Sequence, residues 1–154
     1  MKELLYGSWP ITRRSIGLLV LRVICGAGLM CHGWQKIPHA FAWMGPESPV
    51  PGFLQACSAG AEFFGGLGLV LGLLAPIAAV VVAINMIVAL AMVHIPHHDP
   101  FVGKPGQHSA ELASMYFAMA FILAIAGPGR FSLDVLWVGR HGLGKGHAHP
   151  HNEH

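Results

Sequence analysis

The sequence predicts an all-α membrane protein, a four-transmembrane-helix bundle with both termini cytoplasmic. Three observations predict it. The 154-residue chain is 54% hydrophobic and only 10% charged, whereas a soluble domain carries about 25% charged residues. Its mean hydropathy is +0.57. Its apolar residues gather into four long runs bounded by proline, glycine or charge, and roughly 20 helical residues at about 1.5 Å each cross a bilayer.

Taken in order, residues 1–14 form a polar cytoplasmic segment with Lys2, Arg13 and Arg14, in which Tyr6 and Trp9 suit the headgroup level. The first apolar run, 16–34, contains Arg22 and leads into Cys31-His32-Gly33-Trp34-Gln35-Lys36. Pro38, Pro46, Pro49 and Pro51 make residues 37–52 a loop. The second run, 53–74, carries one ionisable residue, Glu62, among Gly60, Gly65, Gly66, Gly68 and Gly72. A carboxylate facing lipid is costly, so Glu62 is expected to face protein or trapped water. The Gly68–Gly72 pair has the spacing that lets two helices approach closely.

Ala75-Pro76 connects to the third run, 77–95, which is rich in Val, Ile and Ala and contains Asn85. Its length favours a spanning helix over a strand. Pro96 ends it and a polar loop follows to residue 108. Ser109 is placed to cap the fourth helix, with Glu111 in its first turn and Gly127-Pro128-Gly129 at its stop. Arg130 and Asp134 stand four apart and suit a local ion pair. Residues 15–135 thus form one membrane domain, and 136–154 a glycine- and histidine-rich tail expected to be disordered. Basic residues favour the two terminal segments over the two opposite loops, which carry only Lys36 and Lys104. The positive-inside rule therefore puts both termini in the cytoplasm.

Several classes are set aside. A net charge of +2 with no basic patch implies no nucleic-acid partner. Cys25, Cys31 and Cys57 form no C-x-x-C and lie in apolar runs, where they read as small buried side chains. No dinucleotide fingerprint or iron–sulfur cysteine array is present. The first apolar run lacks the small-residue cleavage site of a signal peptide.

The remaining ionisable groups gather toward the outer face. His32, Lys36, His94, His108 and Glu111 fall at the outer helix ends, with His97, His98 and Asp99 just beyond. Counting rise along each run puts Arg22 and Glu62 at comparable depth, which predicts an ion pair near the midplane. The expectation is a polar funnel with that pair as its floor. The plainer reading is that the pair only fixes helix register.

The residues that carry a family resemblance are Leu21-Arg22, Gly26, His32-Gly33 and Lys36 in the first helix. Glu62-Phe63-Phe64-Gly65-Gly66 and Leu71-Gly72 continue it in the second, and Glu111, Tyr116 and Gly127-Pro128-Gly129-Arg130-Phe131-Ser132-Leu133-Asp134 at the end. Together, over roughly residues 15–135, they resemble the DoxX family of small four-helix membrane proteins, one of which is a subunit of a thiosulfate:quinone oxidoreductase. The resemblance implies a redox-associated subunit of the inner (cytoplasmic) membrane. Its outer cavity would receive a quinone or a small oxyanion such as thiosulfate, in association with another protein or a second copy. Glu62, His32 and Glu111 are then the proton-handling, catalytic candidates, and Arg22, Lys36 and His94 the ligand-binding ones. His97, His98 and Asp99 are a candidate metal cluster, and His32 with His94 could hold a haem. The alternatives are a noncatalytic anchor or assembly subunit, or a small transporter or metal-handling protein.

Overall fold

The computed structural model describes residues 11–136. The expectations for Lys2, Tyr6, Trp9 and the histidine tail lie outside the described residues. The chain runs α1 (Ile11–Lys36), a short 3-10 turn (Ile37–His39), α2 (Gly52–Leu71), α3 (Ala75–Ala89) and α4 (Glu111–Ala126). A π-helical turn, Leu90–His94, extends α3. No strand occurs among the described residues.

Three stretches are long and apolar enough to cross a membrane: Thr12–His39, Gly52–Leu71 and Ala75–His94. α4 is apolar but has 16 residues, a rise of about 24 Å against a hydrocarbon core of about 30 Å. The helices pack in a ring, α1 on α2, α2 on α3, α3 on α4, with α4 closing on α1. The core is built from small and medium side chains, among them Cys25, Leu29, Leu69, Val82, Ala83, Met86 and Leu123. Large apolar side chains instead point outward on every helix, such as Ile24, Phe64, Ile84 and Ile125. Such a surface is a liability in water and the natural one in hydrocarbon.

Glycine sets the register of α1 against α2. A Cβ on Gly26 would stand 2.5 Å from the Gly66 carbonyl oxygen, and one on Gly33 would stand 2.5 Å from the Phe63 backbone nitrogen. The backbones therefore touch at Gly26, Gly33 and Gly66, seven residues apart on the α1 side. The Gly68–Gly72 pair does not form this seam. Gly68 faces Ala78 of α3, and Gly72 ends α2 in the left-handed region at φ 66°.

This register corrects the expected Arg22–Glu62 ion pair. Arg22 lies level with Gly72, at the end of the bundle opposite the 37–51 loop. It is 1% exposed and donates to the Pro128 carbonyl at 2.7 Å and the Phe131 carbonyl at 2.6 Å. The expected Arg130–Asp134 pair is replaced as well. Asp134 turns its carboxylate to the backbone N–H groups of Leu74 and Ala75 at 2.6 and 2.8 Å, capping α3. Its own N–H donates to the Gly72 carbonyl at 2.9 Å. Residues 127–135 are thus a latch over the α2–α3 turn. Ser109 is not the cap of α4: Ala110 holds that position, and its carbonyl accepts from Ser114 Oγ at 2.8 Å.

Candidate functional site

Glu62 sits in the middle of α2, where Gly65 and Gly66 let α1 and α3 close in around it. Its partner is Lys36, the last residue of α1. Lys36 Nζ donates to both carboxylate oxygens, at 2.6 and 2.7 Å. The side chains are 20% and 7% exposed, respectively. The long apolar stem of lysine lets its head reach back along the helix to a carboxylate held below it.

A lid fixes the lysine from the other side. Lys36 Nζ lies 4.2 Å from the centre of the Trp43 ring, a cation–π contact. Trp43 in turn donates through Nε1 to the Gln55 carbonyl at 3.0 Å. Gln55, 3% exposed, spends its side chain on the same loop: Oε1 accepts from Met44 N–H and Nε2 donates to the Val50 carbonyl. Loop 37–51 is therefore tied to α2 by one glutamine, whose side chain and carbonyl take donors and an acceptor from Trp43, Met44 and Val50.

The pair borders an open-mouthed cavity of about 550 Å³ to which all four helices contribute. His32, Lys36, Glu62, His94, Gln107, His108, Ser109 and Tyr116 supply its polar lining. The rest of the wall is apolar, from Leu29, Met86, Ala89, Val93 and Leu112. The His32 ring meets Tyr116 edge-on, 5.9 Å between centroids. The Tyr116 hydroxyl rests on Gly28, where any side chain would collide with it. His94 Nδ1 donates to Asp99 Oδ2 at 2.8 Å, which orients its ring.

Of the groups expected to build the funnel, His32, Lys36, Glu62, His94 and His108 thus border one cavity. Glu111 does not; it is exposed, while Ala113, two positions on, is buried. Arg22 belongs to the latch at the other end. His97, His98 and Asp99 do not gather: Asp99 serves His94, and His97 Nδ1 donates to the Val93 carbonyl at 2.6 Å. Among the described residues no group of three or more His, Cys, Asp or Glu side chains is placed to hold a metal ion.

Tyr116 entered the sequence reading only as part of the family pattern, and Trp43 and Gln55 were given no place at the site. Tyr116 was within reach of inference, since it follows Ala113 by three on the inward face of α4. Trp43 and Gln55 gave no local signal, because their contacts depend on how the loop folds back.

A model of the DoxX family matches residues 17–95, just over half of the chain. No curated protein and no solved structure matches.

Proposed function

This chain belongs to the DoxX family, and we propose that it is a redox-associated membrane subunit whose cavity receives the ring of a quinone. The observation that carries this reading is the closed Lys36–Glu62 pair. The cavity's lysine is already neutralised by two short contacts, and Arg22 is spent on carbonyls at the far end. A small oxyanion such as thiosulfate needs uncommitted cations. A quinone needs an apolar slot with a few donors and a proton path, and that is the composition of this wall. His32 and Tyr116 are placed to donate to a ring oxygen. Glu62 and Lys36, hydrogen-bonded to each other at the cavity's edge, can hand a proton inward. Electrons come from an associated protein.

In this reading α4 completes a fourth span and both termini are cytoplasmic in the inner membrane. The cavity then opens to the outer face.

The test is to purify the protein from its native membranes in mild detergent and extract bound quinone for mass spectrometry. Quinone is expected to copurify with the wild type, and to be depleted by His32→Ala and Tyr116→Phe in folded protein. Absence of quinone together with saturable thiosulfate binding by titration calorimetry would overturn the reading.

A further inference from the structure

A second cavity lies on the other side of the Lys36–Glu62 pair. It occupies about 330 Å³ between α2 and α3. Lys36, Trp43, Met44, Glu62, Ala89 and Val93 line both cavities, so the ion pair and its tryptophan lid form a shared partition.

Two features distinguish this groove. Its rim is made of Val81, Ile84, Val88 and Met92, all exposed on the outside of α3. In a membrane those residues face acyl chains, so the groove opens sideways into hydrocarbon. Its wall also contains Asn85, whose Nδ2 is buried and has no hydrogen-bond partner. A buried amide donor is normally satisfied, and hydrocarbon offers no water to do it. Asn85 lies one α-helical turn along α3 from Val81 and Val88 and faces the same space. One unmet N–H donor therefore lies just beneath the wall of an apolar slot whose mouth is open to lipid.

We propose that this groove is a bilayer-side entry seat for a lipid-soluble quinone-type carbonyl compound, with Asn85 Nδ2 donating to a ring carbonyl. The inference rests on the quinone reading of the adjoining cavity and deepens it. The ligand's tail lies between Ile84 and Val88, where no polar group competes. The Lys36–Glu62 pair with Trp43 is the gate it must pass to reach His32 and Tyr116. A charged ligand has no route through this slot, since its mouth lies in hydrocarbon.

The experiment reconstitutes the protein in nanodiscs of phosphatidylethanolamine and phosphatidylglycerol. It labels them with an azido-quinone bearing a short isoprenoid tail, and maps the adducts by peptide mass spectrometry. Adducts are expected on α3 around Val81–Val88 and on the cavity wall around Tyr116. Asn85→Leu is expected to lower the α3 adduct about tenfold, the loss of one neutral hydrogen bond in a dry site. Ile84→Trp, which fills the mouth without touching Asn85, is expected to abolish it. Unlabelled quinone should compete and oleic acid should not. The inference falls if the α3 adduct is unchanged in Asn85→Leu and Ile84→Trp variants that melt like the wild type, or if oleic acid competes equally. Adducts confined to the Tyr116 wall would overturn the entry seat and leave the cavity reading standing. Adducts at neither place would overturn both.

Discussion

Replacing Lys36 by methionine leaves Glu62 as a lone carboxyl in the middle of α2, ten residues from the helix start. At separations of 2.6 and 2.7 Å, Coulomb attraction at an effective dielectric near 20 is about 6 kcal/mol before desolvation. Desolvation of both ions offsets much of this, and removing one partner of a buried pair typically costs about 3–5 kcal/mol. The two single variants are not equivalent. Glu62 is 7% exposed and is the more buried of the two. Lys36 is 20% exposed and keeps Trp43, a contact that contributes about 1 kcal/mol. Lys36→Met is therefore expected to destabilise by about 4 kcal/mol and Glu62→Leu by about 2 kcal/mol. The double variant, which buries no charge, is expected to lose less than the worse single variant. The assay is reversible unfolding by titration with sodium dodecyl sulfate from a mild detergent, followed by far-UV circular dichroism. If the losses add to within about 0.5 kcal/mol, the two groups are energetically independent and the argument from the closed pair fails.

Gly33→Ala, whose Cβ would strike the Phe63 backbone, is expected to lose about 1–3 kcal/mol in the same unfolding assay. Gly60→Ala, with nothing within 4 Å of the new methyl, should be neutral or gain up to about 1 kcal/mol from helix propensity. Arg22→Met leaves the Pro128 and Phe131 carbonyls without donors and is expected to cost about 2–4 kcal/mol. It should also speed tryptic cleavage after Arg130, read by mass spectrometry. Asp134→Ala strips the cap from Leu74 and Ala75; a loss of about 1–2 kcal/mol is expected in thermal melts. Asn85→Leu should raise the melting temperature of ligand-free protein, because it removes a donor that has no partner; a lower one would mean that Asn85 is satisfied.

The helices were legible because hydrocarbon leaves the sequence little choice: runs without charge, closed by Pro96 or by Gly127-Pro128, have one outcome. So was the gathering of His32, Lys36, Glu62 and His94 at one end, since depth follows from distance along a helix. Pairing was not legible. The apolar pattern starts at Ile16, but α1 starts at Ile11, and the sliding position of α1 against α2 is fixed by backbone contact at Gly26, Gly33 and Gly66. The seven-residue spacing of Gly26 and Gly33 was the available sign, whereas the Gly68–Gly72 pair pointed to a contact that the α1–α2 seam does not use. Glu111 was misplaced because a residue's depth does not give its direction. Two positions along α4 separate the exposed Glu111 from the buried Ala113.

The π-helical turn at Leu90–His94 has a mechanical meaning. Its bonds run five residues back, as from the Ile95 N–H to the Leu90 carbonyl at 2.9 Å, so it holds one residue more than an α-helical turn. That residue turns everything beyond it by about 100°. α3 is in effect two rods joined by a swivel. The lower rod, with Ala79, Val82, Ala83 and Met86, is locked in the core. The upper one aims His94 into the cavity with Asp99 behind it. Forcing the full-length chain into plain α-helix would swing the imidazole away by about 100°, whereas deleting a single residue between 90 and 93 would close the turn into plain α-helix and leave the imidazole in place, with the packed rod undisturbed. The histidine's direction is thus set by a chain-length increment, a control that no side-chain replacement can imitate.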